Sequence, residues 1–396
     1  MQKKHITIIG GGPAALMLAA ELDTEKYEVT LCEKKKTVGR KFLVAGEGGL
    51  NLTYHAPLEE LIQQYFPGAF MDPIIRRFTN EDWISWLHAL GITTFSGSSN
   101  RVFPEKEWKP IDVLNAIVTR IRKRGVHIRT DTQWLGWKEQ GQLLFEGWEE
   151  TETDIVVFAL GGASWKVTGT DGGWRKEFLE RGIDVRPFQA ANCGFAVAWT
   201  QEFLSAHEGK PLKNIALRYR GQVAKGELVI SKLGLEGNAI YALSRLLQEG
   251  LQSESQVVIH LDLKPTMSHE QVQQKLRNSL LTKVTDILKK DLNLDSTAIA
   301  IVKQCTDKDT FLNPTLLAAA IKSVPIVIHG ADELDKAIST LGGIALDEID
   351  AHFQLKKIPG TYAIGEMLDW YAPTGGYLLQ GCFSMGWALA QHLNTQ

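Results

Sequence analysis

The sequence predicts an α/β fold in which a parallel sheet is assembled from both ends of the chain, with further domains inserted between them. Three observations predict it. Ile6-Thr7-Ile8-Ile9 runs into Gly10-Gly11-Gly12-Pro13-Ala14-Ala15, the strand, turn and helix start of a β-α-β unit. Ile155-Val156-Val157-Phe158-Ala159-Leu160 is an unbroken apolar run stopped by Gly161-Gly162, as expected of a strand covered on both faces. Near the other end, Thr361-Tyr362-Ala363-Ile364 runs into Gly365-Glu366, with Gly375-Gly376-Tyr377 following.

The first unit continues through a helix over 14–22 to a second strand, 28–32, ending at Glu33. Apolar spacing over 110–124 predicts a helix that precedes a third parallel strand at 126–129. Short alternating strands rich in Trp and Gly follow over 133–153, before the buried strand at 154–160. From 188 to 263 the pattern is mostly β, and from 266 to 320 it is helical, with Ser268 placed as an N-cap. At 396 residues the chain exceeds the size at which one core usually keeps growing. The expected division is 1–187, 188–264 (β), 265–320 (helical), 321–340 (β return) and 341–396.

Apolar residues make up 44% and charged residues 22%, both ordinary for a globular protein. Lys+Arg number 43 against Asp+Glu 46, a net charge of -3, which predicts no nucleic-acid or membrane surface. Cys32, Cys193, Cys305 and Cys382 are scattered without metal-ligand spacing, so neither a disulfide framework nor a metal site is expected. The opening strand lacks the apolar core of a signal peptide, and no stretch approaches the roughly 18 apolar residues of a membrane helix. A cytoplasmic protein is expected.

The glycine pattern carries chemistry because of its context. Gly10 permits the tight turn, Gly12 lets a pyrophosphate approach the backbone, and Ala15 lets the helix pack near the sheet. The helix N-terminus offers free N–H groups to phosphate, and Glu33 stands where a carboxylate accepts from an adenosine ribose. The unit is Rossmann-like, and Glu33 favours FAD or NAD over NADP. Gly365-Glu366 puts a second carboxylate where a ribityl hydroxyl would lie, and NAD has no ribityl chain; the cofactor is therefore expected to be FAD. A helix beginning near Gln380 would point its N-terminus at the edge of the isoalloxazine where negative charge gathers on reduction.

Other residues keep two readings each. Arg40 and Lys41 reach ribose or phosphate oxygens, or form a solvated turn. Asn51, in the glycine-rich 45–53 segment, holds a flavin atom or caps a turn. Arg101 binds a substrate carboxylate or forms a surface salt bridge. Asp369 and Tyr371 line a pocket or pack a loop. Trp165, Trp370 and Trp387 line an aromatic site or belong to the core.

Six segments resemble the HI0933-like (BaiN/YhiN-like) flavoprotein family. They are 39–46, Asn51-Leu52-Thr53, Arg101-Val102-Phe103-Pro104, Ala159-Leu160-Gly161-Gly162-Ala163-Ser164, Gly365-Glu366-Met367-Leu368-Asp369 and 374–380. The resemblance spans the chain. It implies a discontinuous Rossmann-like FAD-binding domain, a β-barrel-like domain inserted into it, and a small helical domain inserted in turn. It also implies non-covalent FAD contacts from Gly10, Gly12, Pro13, Ala14, Ala15, Glu33, Lys34, Arg40, Lys41, Gly161, Gly365, Glu366, Gly375, Gly376, Tyr377, Leu378 and Leu379, and from the backbone of Trp134. The chain departs from the family at Gly48-Gly49-Leu50-Asn51, where many members have Gly-Gly-Arg-Cys-Asn. It departs again at Leu235-Glu236-Gly237-Asn238-Ala239, where many have Leu-Ser-Gly-Pro-Ala. The family's substrates are therefore not carried over.

The expected activity is FAD-dependent hydride transfer with a small organic substrate, with NAD(P)H as a candidate reductant. The alternatives are an amine or amino-acid-type oxidase using oxygen, and an FAD-fold binding or escort protein without turnover. Modification of RNA would predict a basic face. No catalytic acid–base pair is assigned.

Overall fold

The computed structural model describes residues 3–45, 49–97, 99–149 and 153–396. Gly46, Glu47 and Gly48 of the glycine-rich segment lie outside the described residues. The chain divides into two compact units, Met1–Gln189 with Ile338–Gln396, and Ala190–Ala337.

In the first unit, β1 (Lys4–Ile9) leads through the glycine turn to helix α1 (Pro13–Glu21) and then β2 (Tyr27–Cys32). Strands β3 (His127–Arg129), β4 (Ile155–Phe158) and β5 (Thr361–Ala363) complete a five-stranded sheet in the order β5-β4-β1-β2-β3. Every pairing in it is parallel. Ile6, Thr7, Ile8 and Ile9 of β1 are all buried, because the central strand is covered on both faces. The fold is the expected Rossmann-type α/β architecture.

Helix α1 is buried from Ala14 to Ala20, which its alanine-rich sequence permits. On one side lies the sheet; on another lies helix α2 (Tyr377–Asn394), which starts three residues before the expected Gln380. A Cβ on Gly386 of α2 would stand 3.0 Å from the Met17 Cβ, so its absence sets the close approach of the two helices. Their far ends are tied as well: the Tyr27 hydroxyl donates to Leu393 O at 2.6 Å, and Asn394 Nδ2 donates to Glu21 O at 2.9 Å.

Between β2 and β3 the chain forms elements that the pattern reading did not anticipate. Thr53–Tyr54, Arg101–Pro104 and Thr94–Ser96 make a three-stranded antiparallel sheet, with Arg101–Pro104 in the centre. Helices Gly68–Arg77 and Asn80–Ala89 lie between its strands in sequence, the second opened by a Thr79–Asp82 capping box. The Trp-rich segment forms an antiparallel pair, Trp134–Trp137 with Leu143–Phe145.

The second unit is a seven-stranded antiparallel sheet. Helices from His269 to Lys322 bury Val272, Leu276, Ile301 and Ile321 into the same hydrophobic cluster as the strands. Ser268 caps the first of them, accepting from Gln271 N at 3.2 Å. Asp262, fully buried, is neutralised by Lys322 at 2.8 Å and Arg218 at 3.1 Å. Among the described residues no helix is long and apolar enough to cross a membrane.

Candidate cofactor site

Both glycine motifs converge on the N-terminus of α1. At Gly10 φ is +102°, and a Cβ there would overlap the Ala159 carbonyl at the end of β4. Gly12, by contrast, faces open space: a Cβ on it would meet nothing within 4 Å. No side chain caps α1, and Pro13 occupies its first turn, so the helix presents its positive end to this opening. An open glycine before an uncapped helix fits a pyrophosphate.

Glu33 follows β2 and is shaped by the backbone around it. Its Oε2 accepts from Gly11 N and its Oε1 from Lys35 N, both at 2.8 Å. Burial pushes its carboxyl above the usual range, and those two N–H donors, with Lys34 and Lys35, offset part of the rise. Lys34 spends its ammonium on Asp171 at 2.7 Å. The Trp134 ring is buried among Trp137, Phe158 and Phe178, its Nε1 without a hydrogen-bond partner.

The terminal motif meets the first through Gly365, where a Cβ would stand 3.1 Å from the Ala14 Cβ. Glu366 then joins Lys41, whose Nζ is 3.0 Å from Glu366 Oε2 and donates to Ser164 Oγ at 2.9 Å. Thr340 N donates to Glu366 Oε1 at 3.1 Å. Four segments, at 41, 164, 340 and 366, thus share one hydrogen-bonded cluster beside Gly161 and Gly162. Thr340 was not foreseen, because nothing local marks a threonine on a returning strand.

At the start of α2, Gly376 has φ +92° and lies against the strand Thr53–Tyr54: a Cβ on it would be 2.6–2.7 Å from Thr53 N, Cα and C. Gln380, fully buried, accepts from the Thr53 hydroxyl at 2.8 Å and donates to Phe78 O at 3.1 Å. Ser384 donates to the same Phe78 carbonyl at 2.8 Å. These bonds fix the first turn of α2, including Leu378 and Leu379, against the small sheet. Gln380 was legible as a polar residue in an apolar helix, although it had been given no role.

Tyr377 stacks on Tyr54 with centroids 5.1 Å apart, and burial holds its hydroxyl above the ordinary range. Among the described residues, Asn51 Oδ1 and Arg40 Nε are buried without a hydrogen-bond partner, polar atoms that a bound group could satisfy.

The pocket candidates divide. Arg101 stands beside this turn, its Nε 3.8 Å from where a Cβ of Gly375 would be. Asp369 is 3.2 Å from Arg186 and accepts from Gly342 N at 3.2 Å; burial raises its carboxyl, with Arg186 opposing. Tyr371 is buried, its backbone paired with Phe66. Trp370 is buried and donates to Gly365 O at 2.8 Å, and Trp387 stacks on Phe78, so both serve packing. Trp165 is half-buried with φ +61°. Burial pushes the Cys382 and Cys193 thiols up to about 12, which keeps them unreactive at neutral pH. Among the described residues no cluster of metal-ligating side chains is present.

A β-α-β unit with a carboxylate after its second strand, completed by a strand-end glycine and a second carboxylate, fits a Rossmann-type protein of the FAD-dependent oxidoreductases. The chain belongs to the HI0933-like family: the model described as "HI0933-like protein Rossmann domain" matches residues 4–392. It is 25% identical to a ribosomal RNA dihydrouridine synthase of Escherichia coli (strain K12), covering 99% of this chain and 98% of that one. It is also 25% identical to a 3-dehydro-bile acid delta(4,6)-reductase of Clostridium scindens, covering 97% of each. Among solved structures, 3-ketosteroid delta1-dehydrogenase from Sterolibacterium denitrificans, in complex with 1,4-androstadiene-3,17-dione, matches with a TM-score of 0.50 at 13% identity. That match covers 98% of this chain and 99% of the other, a likeness of fold.

Proposed function

We propose that the protein is an FAD-dependent reductase that adds hydride to a carbon–carbon double bond conjugated with a carbonyl, drawing its electrons from NAD(P)H. The observation that carries the reading is the junction of the two half-sites, where Gly365 meets Ala14 and Lys41 bridges Ser164 and Glu366. The direction is supported by two curated relatives, one named a reductase and the other a dihydrouridine synthase. A dihydrouridine differs from uridine by two hydrogens across a ring double bond conjugated with a carbonyl, so one chemistry serves both names.

Bound FAD, once reduced by NAD(P)H, would supply the hydride chemistry, with solvent as the source of the accompanying proton. The protein's part is placement. Gly12 and the α1 N-terminus take the pyrophosphate, Glu33 accepts from the adenosine ribose, and Glu366 with Lys41 holds the ribityl chain. Gly161, Gly375 and the first turn of α2 border the ring, and Asn51 and Arg40 offer their unpartnered atoms to it. Lys34 contributes through Asp171 rather than directly. Tyr377, stacked on Tyr54 and edge-on to Tyr65 at 6.0 Å, with the Tyr65 hydroxyl donating to Tyr377 O at 2.9 Å, would help keep water from the ring.

The relative named for ribosomal RNA favours a second reading, in which the reduced double bond belongs to a nucleobase within RNA. The net charge of -3 gives that reading no electrostatic support.

Anaerobic mixing of the FAD-loaded protein with NADH, NADPH and a panel of amines tests the proposal. Bleaching of the flavin band by a nicotinamide, followed by recovery on adding a steroid enone or ribosomal RNA, is expected. Bleaching by amines alone would turn the protein into an oxidase.

A further inference from the structure

Arg101 is a partly exposed cation at the edge of the candidate site. It sits at the start of the central strand of the small sheet, paired in register with Tyr54, and is half-buried. Three half-buried arginines of the same unit have partners, Arg120 with Glu21 at 2.7 Å, Arg124 with Leu22 O at 2.6 Å and Arg175 with Val185 O at 3.1 Å, whereas Arg40, at the same candidate site, has a buried Nε without one among the described residues. The Arg101 guanidinium has no side-chain hydrogen bond or ion pair among the described residues. Its nitrogens are partly open to solvent, so the guanidinium is available to an anion that enters beside it.

Its surroundings indicate where that anion lies. The Arg101 Nε is 3.8 Å from the Cβ position of Gly375, beside the turn that opens α2. The stacked rings of Tyr54 and Tyr377 form the adjacent wall. The positive charge of Arg101 opposes the burial-driven rise of the Tyr377 hydroxyl, which places the guanidinium within electrostatic reach of that ring. The positive end of α2, an 18-residue helix, adds to the same potential.

We propose that Arg101 anchors an oxyanion of the substrate, a carboxylate or a phosphate, beside the flavin ring. This rests on the reading of the site as an FAD site and adds to it a substrate class: a molecule carrying an anionic group beyond its reducible bond. The planar fork of arginine matches both oxyanions bidentately, which a lysine does not.

The test uses the FAD-loaded protein, titrated with sodium acetate and separately with inorganic phosphate, chloride serving as the salt control. The readout is the flavin difference spectrum. At least one oxyanion should perturb it saturably, and the stronger of the two identifies the source as carboxylate or phosphate. Arg101→Gln should keep full flavin and raise the Kd of that anion at least about tenfold, with Arg101→Lys in between. Unchanged anion titrations in Arg101→Gln, or no anion-specific perturbation of the wild type, overturn the proposal. Loss of flavin from Arg101→Gln would make Arg101 a cofactor contact and also overturn it. A wild-type protein that takes up no FAD defeats the cofactor reading itself, a result distinct from all of these.

Discussion

A Cβ at Gly12 would meet nothing within 4 Å, whereas at Gly376 it would lie 2.6–2.7 Å from three backbone atoms of Thr53. The backbone differs too: Gly12 has φ -82° and ψ 179°, which any residue adopts, and Gly376 has φ +92°. Both glycines come from motifs read as cofactor-binding, yet they are glycine for opposite reasons. Gly12 leaves open space before the α1 N-terminus, where we propose the pyrophosphate lies, although its neighbour Gly10 is glycine because a Cβ would overlap the Ala159 carbonyl. Gly376 leaves room for the protein, so that α2 can rest on the small sheet and present its N-terminus. Fold and proposed ligand roles can therefore sit two residues apart within one glycine motif.

The sharpest way to break this comparison is to add a side chain at each position. Gly376→Ala must both strain the left-handed backbone and displace Thr53, and should cost about 3 kcal/mol or more of stability. The loss should appear in denaturant unfolding with or without FAD. Gly12→Val should lower apo stability only by about 1 kcal/mol, the cost of a poorer N-cap, and weaken FAD binding on the order of 100-fold by closing the approach to the helix N-terminus. If the apo forms of both variants unfold alike, the contrast is wrong.

Lys41→Met sharpens it further, because Lys41 belongs to both worlds. Its ion pair with Glu366 is largely enclosed, with side-chain exposures of 23% and 15%. Losing it should cost about 1–2 kcal/mol in the apo protein and should weaken FAD retention, as followed by flavin fluorescence on dilution.

The smallest effect concerns the far end of α2. The His352 and His392 rings stack with centroids 3.9 Å apart and planes 6° from parallel. Burial lowers the His392 pKa below its ordinary 6.5; His352 and Arg77 lower it further, and Asp350 opposes. A depressed histidine binds protons more readily unfolded, so its contribution is intact above pH 6.5 and is lost as the pH falls through the window below it. His352→Asn should flatten that acid loss, changing the midpoint between pH 7 and pH 5.5 by about 1–2 °C relative to wild type.

Legibility in the sequence followed the range of the interactions. The strands β1, β2, β4 and β5 were readable because each is an apolar run ended by a glycine or a carboxylate. The helix at 110 was readable from its spacing. Thr53–Tyr54 was not, since two residues carry no period, and its strand exists only because Arg101 and Val102 pair with it. The helices at 68 and 80 were hidden by Pro67 and Pro73, although Thr79 and Asp82 did mark the second one. Within the candidate site, Glu33 was legible because its partners, Gly11 and Lys35, are local or lie in the adjoining turn. The Lys41–Glu366 pair joins residues 325 apart, and no local pattern encodes such a contact. Thr340 had no signal at all.

The sheet order β5-β4-β1-β2-β3 also sets a timetable. Four of the five strands have left the ribosome by residue 158, but the strand that completes the edge beside β4 begins at residue 361. At about 5–20 residues per second, that gap of roughly 200 residues takes between about 10 and 40 s. During this interval Glu33 and the Gly10–Gly12 turn exist without Glu366 or α2. Under the proposed reading of the site, discrimination between FAD and other adenine nucleotides begins only when the last strand docks.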